Sequence, residues 1–347
     1  MLSLTALMTL LLAQELLPQG QADPSRAKPG VESTLQDPED PALRAATKGL
    51  GFLEKEGIAW TKKNKCSSCH HVPMMLWAER EARQGGLRIN EQARERAVAF
   101  ALQAPYGGFL GPLTKEKLAQ MPGPSLEIIY LALGLDTEGG AEEVARKNAE
   151  LRTHLLDKQE PNGAWLFERK EKGKLLPPIQ DADDVVTMLS LLALSRGSPS
   201  PLEPETARRS QERALAWLQE STFEQSLFST ALGVVISRNF AMADRMNRLK
   251  TSLLSEQRED GGWTQVAGRP SDALATGQAL YALADAGIDT KHQATQRGRA
   301  FLERTQRDNG SWRVSSRIPE NEGKDAIPSY FGSAWAVLGL VHHRAKE

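Results

Sequence analysis

Two kinds of helical stretch alternate along this chain. The first kind is amphipathic, with apolar residues spaced for one helix face and a fixed polar ending. Its clearest copy runs Arg297-Gly298-x-x-Phe301-Leu302-x-x-x-Gln306-x-x-Asn309-Gly310-x-Trp312. Arg248-x-x-x-Ser252-Leu253-x-x-x-Gln257-x-x-Asp260-Gly261-Gly262-Trp263 repeats it, as does His154-Leu155-x-x-x-Gln159-x-x-Asn162-Gly163-x-Trp165. Three further copies keep only the helix: Lys48-Gly49-x-x-Phe52-Leu53, Arg96-x-x-x-Phe100 and Arg213-x-x-x-Trp217-Leu218. The spacing averages about 50 residues, in the range of repeat architectures. The Asx-Gly step permits positive φ and ends the helix. The Trp then folds back over the turn, and the Gln amide is free to bond backbone groups at a helix end.

The second kind is apolar nearly all round. Val185-Val186-Thr187-Met188-Leu189-Ser190-Leu191-Leu192-Ala193-Leu194 is the plainest example. Such helices are buried on every side. The pattern predicts six of them, near His71–Arg83, Ser125–Leu135, Asp183–Ser195, Glu224–Ser237, Asp272–Ala286 and Ser329–His342. Ser125, Glu224, Ser271-Asp272 and Ser329 stand as cap residues at their openings. Six amphipathic helices alternating with six buried ones predict an all-α closed double ring, an (α/α)6 toroid. No period-2 alternation argues for a sheet.

The repeat resembles the QW motif of squalene–hopene cyclases, and more broadly the terpenoid cyclase and protein prenyltransferase toroids. The resemblance covers about residues 42 to 345. It implies inner helices forming the core and a ligand cavity at one end. A shared fold does not carry function with it.

Composition changes the picture little. The 347 residues carry a formal net charge of -1, so no basic footprint argues for nucleic acid. The N-terminus reads as a signal peptide over residues 1–22: a short apolar run from Leu2 to Leu12, then the small-residue site Gly20-Gln21-Ala22. Residues 23–41 are rich in Pro, Asp, Glu and Ser and read as a disordered linker. The toroid domain is expected over 42–347. No apolar run is long enough for a transmembrane helix. The expected location is therefore outside the cytoplasm, periplasmic or extracellular.

The only two cysteines lie in Lys65-Cys66-Ser67-Ser68-Cys69-His70-His71. C-x-x-C-H is the attachment signature of a c-type haem. Cys66 and Cys69 would form the thioethers and His70 would bind the haem iron. The competing readings are a Cys66–Cys69 disulfide or redox pair and half of a zinc site, which lacks a second ligand pair. Met74 and Met75 follow His70 too closely to reach the opposite haem face. Met121, in Gln120-Met121-Pro122-Gly123, resembles the Met-Pro distal ligand of small cytochromes c, and also reads as an ordinary loop methionine.

Asp181-Ala182-Asp183-Asp184 resembles the D-x-D-D motif of class II terpene cyclases. That resemblance implies Asp183 as a general acid protonating an alkene or epoxide, flanked by Asp181 and Asp184. Crowded carboxylates raise one another's pKa. The alternative is helix capping by aspartates. Three functions follow: an exported haem toroid doing electron transfer with a redox partner, a cyclase-like enzyme acting on a hydrophobic small molecule, or a non-catalytic ligand-binding toroid with a disulfide.

Overall fold

The computed structural model describes residues 39–64, 71–103, 116, 124–135, 142–166, 183–196, 204–220, 226–316 and 323–343. Cys66, Cys69, His70, Met121 and Asp181 lie outside them, as does the expected signal peptide. Among the described residues the chain forms twelve helices. The odd-numbered ones are α1 (Pro41–Asn64), α3 (Glu91–Gln103), α5 (Glu142–Asp157), α7 (Pro204–Glu220), α9 (Ala243–Ser255) and α11 (Gln293–Thr305). The even-numbered ones are α2 (Val72–Gln84), α4 (Leu126–Gly134), α6 (Asp183–Ser195), α8 (Leu227–Asn239), α10 (Ala273–Asp285) and α12 (Ala326–His342).

Each even helix packs against the next even one, and α12 packs back onto α2. That closes the inner ring. The odd helices lie outside it, each against its inner neighbours. The fold is the predicted all-α toroid. Every residue of α10 is buried, as is α4 from end to end, which their apolar sequences require. No helix among the described residues is long and apolar enough to cross a membrane.

The QW motif acts as a rivet between successive outer helices. Each Gln amide donates twice: Gln159 to Gly163 and Ser210 carbonyls, Gln257 to Gly261 and Ala294, Gln306 to Gly310 and Ala45. Each Trp indole donates back to its own helix, at Leu155, Leu253 and Leu302. Each Trp backbone N–H donates to a hydroxyl of the following inner helix: Thr187, Thr276 or Ser333. One motif thus satisfies helix-end carbonyls that burial would otherwise orphan.

The last rivet closes the outer ring. Gln306 reaches Ala45 of α1, Trp312 lies over Gly49, and Arg299 pairs with Asp40. Gly310 sits at φ +86, and a Cβ there would meet the Lys48 carbonyl carbon at 2.8 Å. Gly310→Ala is expected to cost roughly 2–5 kcal/mol, combining left-handed strain of about 1–2 with overpacking of about 1–3. Urea unfolding measures it, and a loss below about 1 kcal/mol contradicts this account of the seam.

Two predicted caps hold: Ser125 accepts from Ile128 N–H and Asp272 from Ala275 N–H. Two differ. Ser226 caps α8 by accepting from Ser229 N–H, and Glu224 lies outside the described residues. α12 begins three residues before Ser329, whose hydroxyl instead accepts from Val314 N–H. The physical reason is that Pro328 fits a first helical turn, where its missing N–H costs nothing.

Candidate functional site

The first repeat departs from the rivet. At Gly57, where the three full copies carry Gln, α1 does not turn but runs on about two turns to Asn64. Lys63 stands in the Trp register, ten residues after Leu53. The carbonyl bond that Trp makes elsewhere is supplied by the neighbouring last inner helix. Tyr330 of α12 directs its hydroxyl at the Leu53 carbonyl (3.0 Å), sharing it with the carbonyl of His71 (3.2 Å). Burial, then the charges of Glu79 and Glu56, push the Tyr330 hydroxyl well above its ordinary value, so it stays a donor. Gly57 is needed here: a Cβ would lie 2.9 Å from Met75 Sδ and 3.0 Å from Tyr330 Oη.

The missing turn leaves a groove of about 500 Å³ between α1, the Gln306–Trp312 turn and the start of α12. Phe52, Trp60, Lys63, Arg307, Ile327 and Tyr330 are among its lining residues. His71 forms its inner wall. The imidazole is buried, stacked on Trp60 at 4.0 Å and 17° and against Tyr330 at 4.1 Å and 32°. In the sequence, His71 directly follows Cys66-Ser67-Ser68-Cys69-His70. Met74 and Met75 are fully buried in the core.

The aspartates lie elsewhere on the inner ring. Asp183 opens α6 and is only partly buried. Asp184 is buried and accepts a hydrogen bond from Ser229 of α8, tying two inner helices together. The ring axis between these helices is filled: Trp77, Tyr130, Phe228, Tyr281, Phe331 and Trp335 contact one another with centroids 5.2–5.9 Å apart.

At the opposite, C-terminal end of the inner helices lies a network that sequence reading missed. Glu81 (α2) accepts from Arg196 at 3.0 Å and meets His342 Nδ1 at 2.8 Å. His342 Nε2 meets Asp285 at 3.0 Å, and Arg196 reaches Asp285 at 3.4 Å. Tyr281 stacks on His342 and bonds Arg196. Burial pushes Glu81 up, but the His342 hydrogen bond and the Arg196 charge outweigh it and hold Glu81 well below the carboxylate range. Burial lowers His342, and its bonds to Asp285 and Glu81 more than reverse that, raising it. The only sequence signal was an ionisable residue at or near the end of each of these four inner helices.

The squalene–hopene cyclase N-terminal domain family matches residues 205–318, the span of two rivets and their outer helices. Over those residues the chain is similar to that family, and the helices around them close into an all-α toroid. Its fold is similar to the type II terpene cyclase MstE from Scytonema, solved with geranylgeranyl dihydroxybenzoate, at 14% identity and TM-score 0.54, covering 88% of this chain and 98% of that one. It is also similar to the unsaturated glucuronyl hydrolase of Bacillus sp. GL1, responsible for glycosaminoglycan degradation, at 16% identity and TM-score 0.58, covering 86% and 96%. No curated protein matches the sequence. At these identities the neighbours share the ring with this toroid. Two different chemistries on one ring show that the fold alone does not choose between them.

Proposed function

We propose that this toroid is an exported redox protein carrying one covalent c-type haem on Cys66 and Cys69, with His70 as iron ligand, and that it exchanges electrons with a redox partner at the rim beside α1. The reading rests on C-x-x-C-H standing immediately before His71 in the sequence, and on His71 lining a groove of about 500 Å³. The groove suits such a group: aromatic and apolar walls from Phe52, Trp60 and Ile327, and cations at Lys63 and Arg307. A bound haem supplies one-electron chemistry, tuned by its axial ligand and surroundings. The chain's own contribution is position. Tyr330 and Trp60 hold His71, and so fix where the attachment segment joins α2. Met121 is the sequence's candidate for a second residue that would hold the iron.

The test is production in a host with export and haem-attachment machinery. A Soret band that survives acid-acetone extraction is expected, and is lost in the Cys66→Ala/Cys69→Ala variant. A protein without covalent haem, its cysteines joined in a disulfide, overturns the proposal and leaves the ligand-binding toroid.

A second reading is favoured by the position of Asp183 at the opening of an inner helix beside Asp184. There Asp183, with Asp181 and Asp184, would serve a cyclase-like proton transfer to a hydrophobic substrate. Asp183→Asn is then expected to abolish product formation from a polyprenyl substrate. Undiminished turnover removes this reading.

A further inference from the structure

The groove beside His71 exists because the first repeat lacks its rivet, and what stands in the rivet's place is charged. Lys63 occupies the Trp register, and Arg307 faces it from the turn after α11. Neither side chain makes an ion pair or hydrogen bond among the described residues. Two carboxylates also line the groove. Asp325 is engaged by Arg313, 2.9 Å away, so among the described residues lining the groove only Glu56 offsets the two cations. Apolar surface is left open beside them. Ile327 is 44% exposed, one of three large hydrophobic residues exposed among the described residues, and Phe52 and Trp60 are only partly covered. Unpaired cations next to uncovered apolar wall, in a groove within the small-molecule range, match one ligand chemistry.

We propose that this groove binds the carboxylate end of a largely apolar molecule. Lys63 and Arg307 hold the carboxylate, and Phe52, Trp60 and Ile327 lie along the apolar body. A charge-assisted bond to a guanidinium and an ammonium gives the acid its advantage over an uncharged analogue. Two sources supply this chemistry. One is the propionate edge of a tethered porphyrin, which rests on the haem reading above. The other is a free long-chain carboxylic acid, which does not.

The experiment uses the full chain with Cys66→Ala/Cys69→Ala, so that no haem is attached and failure of the haem reading leaves the result interpretable. Two probe pairs are titrated by calorimetry: laurate against methyl laurate, and mesoporphyrin IX against its dimethyl ester. At least one acid is expected to bind ten times or more tightly than its ester. Adding Lys63→Met/Arg307→Met is expected to remove that difference while leaving ester binding unchanged. Both positions are at the surface of the groove, and circular dichroism checks that the variant is folded. Tight porphyrin binding, with laurate excluded from haem-loaded wild-type protein, assigns the site to the tethered group. Laurate binding without porphyrin binding assigns it to a free acid. Equal binding of acid and ester, binding unchanged by the double substitution, or no binding of either acid overturns the proposal.

Discussion

Glu81→Ala is expected to destabilise the toroid by about 3–5 kcal/mol, the loss found when one member of a buried ion network is removed. Glu81 is the member that meets two cations, Arg196 and His342, and it also accepts from the Trp77 indole. Its removal leaves both cations sharing Asp285 inside the inner ring. Four inner helices meet there, α2, α10 and α12 through residues within them and α6 through Arg196 just beyond its end, so the loss falls on the whole ring. The pH dependence has a defined sign. His342 has its pKa raised by folding, so its contribution is fully present below the ordinary imidazole value and is lost as pH rises through the raised one. Glu81 is lowered, so its contribution is present above the ordinary carboxylate value and is lost as pH falls. Thermal unfolding followed across pH is therefore expected to show a maximum between roughly pH 5 and 7. In His342→Gln the alkaline decline should flatten. An unchanged profile in that variant would mean His342 is neutral in the fold.

Gly277→Ala is the second large effect, expected near 3 kcal/mol, at the upper end of ordinary overpacking. A Cβ at Gly277 would meet the backbone of α12, with Ala336 N at 2.6 Å, and Gly339 faces it with the Gly277 carbonyl at 2.5 Å from its own added Cβ. Backbone cannot rotate aside, so α10 and α12 must separate. Gly51→Ala is the control. It lies on the exposed side of α1 with nothing within 4 Å of an added Cβ, and is expected to gain about 0.5–1 kcal/mol through helix propensity. If both substitutions behave alike in chemical unfolding, close helix approach is not what Gly277 provides.

The ring was legible because its two periodicities are strong and local. Gln306-x-x-Asn309-Gly310-x-Trp312 announces the end of an outer helix within seven residues, and the apolar run from Val185 to Leu194 announces a buried one. What the rivet grips was not legible. Thr187, Thr276 and Ser333 read as small residues in apolar helices, yet each receives a Trp backbone N–H. The groove was hidden for a related reason. The copy Lys48-Gly49-x-x-Phe52-Leu53 reads as a helix without its motif ending, whereas Gly57 is kept open for Tyr330, whose hydroxyl takes over the bond to Leu53 from the far end of the chain. The Glu81 network joins residues that no window of sequence contains.

The seam between Gln306 and Ala45 has a consequence for synthesis. Helix α1 is made first, but its partners at Gln306, Trp312 and Tyr330 are made last. At about 5–20 residues per second the ribosome needs on the order of ten seconds to a minute to reach them. Through that interval the inward face of α1, including Leu50 and Leu53, has no finished ring to enter. The nascent chain must be kept from sticking to others until its final helix emerges.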